Sequence, residues 1–204
     1  MSRIAGVVPA AGRSLRMGRP KSLLDAGGGR TFIERVATTL ARGGCAPVVV
    51  VLRDVNAPEG ALARRVGARV VANPSPEEGP VASVRCALRA LPAGVGGIAV
   101  LPVDHPLVEP TTIEELIAAF DADAEPDAVV PTYQGRRGHP VLLRSTLFAE
   151  IMEDDLAEGL RTVLRRDPAR VRELAVDDPG VLADLDTPDA LRRHLPAALP
   201  ESER

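Results

Sequence analysis

The sequence predicts a three-layer α/β/α fold, in which helices cover both faces of a mostly parallel β-sheet. Two observations indicate this fold class. Short apolar runs bounded by Gly, Pro and Asp alternate with amphipathic stretches, as in consecutive βαβ units. The early apolar runs are continuous in Val, Ile and Ala instead of alternating with polar residues, which is typical of strands buried on both faces.

The elements follow one another in a regular order. Strands are expected at residues 4–8, 48–52, 69–72, 98–102, 128–131 and 141–143, and helices at residues 31–41, 58–66, 81–91, 111–120, 145–152 and 156–165. Residues 133–139 separate two short apolar runs and predict a small hairpin excursion from the parallel core. Thr187-Pro188 is typical of a helix start, so a closing helix is expected at residues 188–195. We therefore expect a single domain over residues 1–196 and a frayed tail over residues 197–204.

Composition excludes several classes of protein. The chain has 204 residues, of which 45% are hydrophobic, enough for one full core. Its net charge of −3 leaves no basic field for nucleic acid, and no apolar run reaches the roughly 20 residues of a membrane helix. Cys45 and Cys86 have neither metal-site nor disulfide spacing, and no signal-peptide pattern precedes the first strand. We expect a cytoplasmic protein that binds neither nucleic acid nor a membrane.

The loop after the first strand is the strongest functional signal. Lys21 is the only lysine of the chain, since every other basic side chain is arginine. It follows the small-residue turn Ala10-Ala11-Gly12, which lets backbone N–H groups approach an anion closely. A Walker A loop and a G-x-G-x-x-G fingerprint are both absent. Four cations lie in this loop, at Arg13, Arg16, Arg19 and Lys21. The loop predicts a phosphate site at the carboxyl edge of the sheet, with a solvated basic loop as the alternative.

Carboxylates follow later in the chain at two places. Asp104 ends an apolar strand, where it could bind Mg²⁺ or act as a helix N-cap. Asp184 and Asp186 lie on the same side of an extended segment, and capping would explain only one of them. His105 is expected to be a packed neighbour, because Mg²⁺ prefers oxygen ligands.

Residues 9–24, Pro-Ala-Ala-Gly-Arg-Ser-Leu-Arg-Met-Gly-Arg-Pro-Lys-Ser-Leu-Leu, resemble the signature loop of the molybdenum-cofactor type of nucleotidyltransferases. This family includes molybdopterin cytidylyltransferases and guanylyltransferases. The resemblance implies a Rossmann-like, GT-A-like domain whose loop wraps a nucleoside triphosphate. Residues 73–83 are similar to the family loop that approaches the sugar and base. The implied nucleotide-binding residues are Ala10, Ala11, Gly12, Arg13, Ser14, Arg16, Lys21, Asn73 and Gly79.

Three further segments resemble the same family. Residues 184–189 are similar to its closing Asp-Ile-Asp-Thr-Pro-Glu motif, which implies that Asp186 joins Asp104 at a Mg²⁺ ion, with Asp184 as a weaker candidate. Gly138-His139-Pro140-Val141 resembles a segment of the molybdopterin cytidylyltransferases, and implies that His139 contacts the acceptor, although a structural histidine is an equal alternative. Glu158-Gly159-Leu160-Arg161 is similar to the end of a Gly-Asp-Lys-Gly-Ala-Arg stretch of the family, which implies that Arg161 contacts the acceptor.

The resemblance implies Mg²⁺-dependent transfer of CMP from CTP to a phosphorylated acceptor, molybdopterin, with release of pyrophosphate. Lys21, Arg16 and Asp104 are the implied catalytic residues, and Ala10-Ala11 favours CTP over GTP. Transfer to a sugar, polyol or methylerythritol phosphate is one alternative. Another is a non-catalytic maturation chaperone with a molybdenum hydroxylase as its client. A nucleotide-dependent oxidoreductase is disfavoured by the missing dinucleotide fingerprint.

Overall fold

The computed structural model describes residues 3–12, 20–123 and 125–196, and within them eight strands form one sheet. The strands are β1 (Ile4–Pro9), β2 (Val48–Leu52), β3 (Arg69–Ala72), β4 (Gly97–Val100), β5 (Ala128–Tyr133), β6 (Arg136–Arg137), β7 (Val141–Arg144) and β8 (Val171–Ala175). Their order is β3-β2-β1-β4-β7-β5-β6, and β8 pairs with β5. Pairing is parallel from β3 to β4 and between β5 and β8, and antiparallel around β7 and β6.

Helices cover both faces of this sheet. They are α1 (Phe32–Arg42), α2 (Pro58–Arg65), α3 (Pro80–Ala90), α4 (Pro110–Ala122), α5 (Phe148–Ile151), α6 (Leu160–Arg166) and α7 (Pro188–His194). One apolar core joins the sheet to α1, α2, α4 and α7, and a second joins the opposite face to α3, α5 and α6. The predicted three-layer α/β/α fold is therefore confirmed.

Most elements lie where the sequence predicts them, and the differences have local causes. β8 was not predicted, because its central residues Arg172 and Glu173 are charged and exposed at the edge of the sheet. The helix expected at residues 145–152 is a 3₁₀ turn followed by the short α5. The hairpin excursion is confirmed, since β5 and β6 are joined by Gln134 and Gly135, both at positive φ as a two-residue hairpin turn requires.

Parallel pairing places the carboxyl ends of β2, β1 and β4 side by side. Val7 lies opposite Val100 of β4, and Pro9 lies opposite Val51 of β2. The main chain continues this pairing past β1, where the Ala10 N–H donates to the Val51 carbonyl at 2.9 Å. The segments that follow these three strands consequently meet at one edge of the sheet, where ligands of open α/β sheets bind.

A buried carboxylate fastens the last part of the chain to α4. Asp178 Oδ2 accepts hydrogen bonds from the Glu109 N–H at 3.0 Å and the Thr112 hydroxyl at 2.6 Å, while Oδ1 accepts from the Gly180 N–H at 2.8 Å. Its residue exposure is 7%. This anchor fixes the start of the segment that carries Asp184.

Among the described residues, no helix has the length and apolar character needed to cross a bilayer.

Candidate functional site

An open cleft of about 810 Å³ lies at the carboxyl edge of the sheet, within the usual size range of small-molecule sites. The segments that follow β1, β2 and β4 form its floor, and the start of α3 forms one wall. Among its lining residues are Ala10, Ala11, Gly12, Lys21, Asp104 and Gly79, all predicted from the sequence. The structure therefore brings together residues that are far apart along the chain.

Lys21 and Asp104 form an ion pair inside this cleft. Lys21 Nζ lies 2.7 Å from Asp104 Oδ2, although 83 positions separate the two residues. Their side chains are 16% and 20% exposed, so solvent screens the pair only in part. A charge-assisted contact of this length is among the stronger hydrogen bonds in proteins.

His105 holds the other oxygen of the same carboxylate. Its Nδ1 lies 3.2 Å from Asp104 Oδ1, and the residue is buried. Burial alone would raise the pKa of Asp104, but the hydrogen bond from His105 and the charge of Lys21 outweigh it and hold that pKa well below its ordinary value. Asp104 is therefore ionised at neutral pH, as a ligand for a hard cation must be.

Asp184 lies close to this carboxylate. The Leu185 N–H donates to the Asp104 carbonyl at 2.8 Å, which lays the closing segment alongside the Asp104 turn, and Asp184 lines the cleft. Desolvation raises the pKa of Asp184, and the negative charges of Asp104 and Asp186 add to the rise. Asp186, which the sequence favoured as the second metal ligand, is close enough to act on Asp184 but is not among the residues that line the cleft.

The carboxylates fit a hard cation that retains substrate and water ligands. No group of three or more His, Cys, Asp and Glu side chains within residues 3–12, 20–123 and 125–196 is arranged to enclose a metal ion. Mg²⁺ does not need such a cage, because it binds through one or two carboxylates, phosphate oxygens and waters. Asp104, with Asp184 beside it, provides this minimal donor set, and Asp186 lies next to Asp184 outside the cleft lining.

His139 lines the cleft beside His105. Its ring meets that of His105 edge to face, with centroids 4.7 Å apart. Burial and the neighbouring His105 lower the pKa of His139 to about 4, so this ring is neutral at pH 7. Its Nδ1 is buried and accepts no hydrogen bond from any described residue. The predicted Arg161 is exposed on α6 and near enough to influence His139, but it does not line the cleft.

The predicted residues of the 73–83 loop have different surroundings. Asn73 is buried away from the cleft, where its Nδ2 donates to the Ser83 hydroxyl at 3.1 Å and its Oδ1 accepts from the Ser75 N–H at 2.9 Å. Gly79 lines the cleft at φ 87°, a conformation that favours glycine, and no described atom occupies the space where a Cβ would point. Asn73 therefore shapes the loop, while Gly79 and Ser83 face the cleft.

Three predicted residues, Arg13, Ser14 and Arg16, lie outside the described residues. Two cleft residues that the sequence patterns did not identify are Arg53 and Asp54, directly after β2. Their position was a usable signal, because polar residues at the carboxyl end of an inner parallel strand face the ligand edge.

Comparison with known proteins identifies the family of this chain. The family model described as a MobA-like NTP transferase domain matches residues 6–171. A relative in Mycobacterium avium, named probable molybdenum cofactor guanylyltransferase, is 31% identical over 194 residues, which cover 93% of this chain and 94% of the relative. Nicotine blue oxidoreductase of Paenarthrobacter nicotinovorans is also 31% identical, over 94% of this chain and 96% of that protein. The crystal structure of Mycobacterium tuberculosis Rv0371C in complex with manganese superposes with a TM-score of 0.78 and 28% identity, covering 96% of this chain and 100% of the other.

Proposed function

Because this chain belongs to the MobA-like NTP transferase family, we propose that it transfers CMP from CTP to molybdopterin, in molybdenum cofactor biosynthesis. The observation that carries the proposal is the pairing of the sole lysine with Asp104 in a cleft at the carboxyl edge of the sheet. An ammonium and a carboxylate at this place match the two requirements of nucleotidyl transfer, which are neutralisation of phosphate charge and binding of a divalent cation.

In the proposed reaction, an oxygen of the acceptor phosphate forms a bond to the α-phosphorus of the nucleotide. The bond between that phosphorus and the bridging oxygen breaks, and the electron pair leaves with pyrophosphate. The acceptor phosphate is already ionised, so no general base is needed. Lys21 stabilises the charge that grows at the α-phosphate, and Arg16 the charge of the departing pyrophosphate.

Asp104 is the proposed ligand of Mg²⁺, together with Asp186 as the sequence favoured or Asp184 as the cleft geometry favours. Bound Mg²⁺ would supply charge neutralisation and orientation of the phosphate oxygens. The manganese complex of the Mycobacterium tuberculosis protein shows that a relative with this fold binds a divalent cation, which supports the proposal. His105 orients the Asp104 carboxylate through its contact with Oδ1.

The acceptor is proposed to lie toward His139 and Arg161. The neutral ring of His139 forms an uncharged wall beside Asp104, and the exposed guanidinium of Arg161 is available to an acceptor phosphate. A client molybdenum hydroxylase would receive the finished cofactor.

The choice between CTP and GTP rests on Ala10-Ala11, both of which line the cleft. Relatives are named guanylyltransferases, so GTP is the direct competitor. One relative is named as an oxidoreductase, which makes an oxidoreductase the second candidate. The ion pair at the phosphate edge favours nucleotidyl transfer over that alternative.

The test is pyrophosphate release with each of the four nucleoside triphosphates, with Mg²⁺, in the presence and absence of molybdopterin. Release with CTP that requires molybdopterin is the expected result. Release with GTP alone would correct the nucleotide, and release that depends on a sugar, polyol or methylerythritol phosphate instead would correct the acceptor. No release with any nucleotide, from protein that circular dichroism shows to be folded, would refute nucleotidyl transfer. Asp104→Asn, which removes the charge of the proposed metal ligand, should abolish release, and Asp189→Asn, on the exposed surface of α7, is the matched control.

A further inference from the structure

Each oxygen of the Asp104 carboxylate contacts a side chain of the protein. His105 Nδ1 lies 3.2 Å from Oδ1, and Lys21 Nζ lies 2.7 Å from Oδ2. A divalent cation bound to Oδ2 would lie next to the Lys21 ammonium, and the two positive charges would repel each other. We propose that the cation and the Lys21 ammonium compete for Oδ2 of Asp104, so that the protein accepts metal and nucleotide together and resists metal alone. This inference rests on the proposed function, since it assumes that Asp104 is the metal ligand.

Lys21 is the partner that can leave. The His105 ring is buried and packs edge to face against His139. The main-chain N–H of His105 donates a hydrogen bond to the Pro102 carbonyl at 3.1 Å, which fixes the turn that carries the ring. Lys21 approaches from a different segment, a single 3₁₀ turn at Lys21–Leu23, on a long stem with several rotatable bonds. The ammonium can therefore swing within the cleft while His105 continues to orient the carboxylate.

Charge balance makes the exchange selective. A free divalent cation at Asp104 would leave the Lys21 ammonium beside it without its carboxylate, and the two positive charges would repel each other. A metal-bound triphosphate supplies phosphate oxygens at the same moment, so Lys21 exchanges a carboxylate for a phosphate. One ion pair is thus replaced by two. This exchange implies that the metal ion and the nucleotide bind to the cleft together, as a complex.

The first experiment measures Mn²⁺ binding by electron paramagnetic resonance without nucleotide. Lys21→Met removes the competing charge and should tighten Mn²⁺ binding about 10-fold. Loss of a fully exposed ion pair would change the affinity by a factor of about 5 at most, and this pair is largely shielded from solvent. Lys21→Arg keeps a competing cation and should stay within about 3-fold of the wild type. Adding Asp104→Asn to Lys21→Met should remove the gain, which locates the bound ion.

The second experiment uses the wild-type protein, so it does not depend on a variant that folds. Because Lys21 is the only lysine, labelling with ¹³Cε,¹⁵Nζ-lysine gives one side-chain signal. Saturating Mg²⁺ should shift that signal from its starting position, and CTP with Mg²⁺ should move it to a third position.

Two results would overturn the exchange. One is Lys21→Met binding Mn²⁺ no more tightly than the wild type while circular dichroism shows it folded. The other is a wild-type lysine signal that stays unchanged when Mg²⁺ saturates the protein. Failure of the proposed function would give a different result, which is no pyrophosphate release with any nucleotide. The Mn²⁺ and Mg²⁺ measurements without nucleotide would still show whether the cation and Lys21 compete for Asp104.

Discussion

Asp178 provides the sharpest test of how the site is held together. Replacing it with alanine removes the acceptor of three hydrogen bonds, two from main-chain N–H groups and one from the Thr112 hydroxyl. Each donor that loses its partner in a buried position costs about 1–3 kcal/mol, and Asp178 is only 7% exposed. Water entering the neighbouring surface cavity, which Asp178 lines, recovers part of this loss. We expect Asp178→Ala to lower the free energy of unfolding by about 3 kcal/mol.

Urea-induced unfolding followed by circular dichroism measures this loss directly. Thr112→Val removes one of the three donors at similar volume and should cost about 1 kcal/mol. Asp189→Ala is the matched control, since the Asp189 side chain is 86% exposed and forms an ion pair with the solvent-facing Arg192, so its cost should stay within about 0.5 kcal/mol. Asp178→Ala unfolding within about 1 kcal/mol of the wild type would refute the proposed anchoring of the closing segment.

Three other predictions concern the cleft. Lys21→Arg should fold normally and lose about 10²–10⁴ in turnover, because the planar guanidinium cannot follow the shifting phosphate charge; pyrophosphate release measures it, and near-normal turnover would contradict the role of Lys21. Folding lowers the pKa of His139 from 6.5 to about 4. Between pH 4 and 6.5, this ring therefore carries a proton in the unfolded chain but not in the folded protein. The contribution of this neutral ring to the free energy of unfolding is therefore complete above pH 6.5 and is lost as the pH falls toward 4, by on the order of 3 kcal/mol. Urea titrations of His139→Asn should show a flatter pH dependence. Gly138→Ala should destabilise the protein by about 2–4 kcal/mol, because its Cβ would lie 2.3 Å from the Val181 carbonyl oxygen; an unchanged melting temperature would contradict this clash.

The layered fold was predictable because the inner strands are nearly pure in apolar residues. Val48–Leu52 is buried at all five positions and was predicted at its observed bounds. β8 was not predictable in this way, since its exposed residues carry charge and its partner β5 lies more than 30 residues earlier in the chain. Strand pairing at an edge depends on tertiary contacts that periodicity does not encode.

The site was predictable in part. Lys21 and Asp104 were both identified, and the order of the strands explains why they meet, since β1 and β4 are parallel neighbours. Periodicity placed Asp184 and Asp186 on one side of the chain but could not decide which of them faces the cleft. That outcome depends on the Leu185–Asp104 main-chain contact, which no local pattern predicts.

This contact has an evolutionary consequence. The distance between the closing segment and the Asp104 turn is set by a peptide N–H and a peptide carbonyl, and the His139 N–H holds the Val181 carbonyl in the same way at 2.9 Å. Side-chain replacement leaves such bonds intact, with proline as the exception. The side chains that line the cleft can therefore change while the Asp104 turn and the closing segment keep their spacing, which makes this scaffold readily adaptable to new ligands.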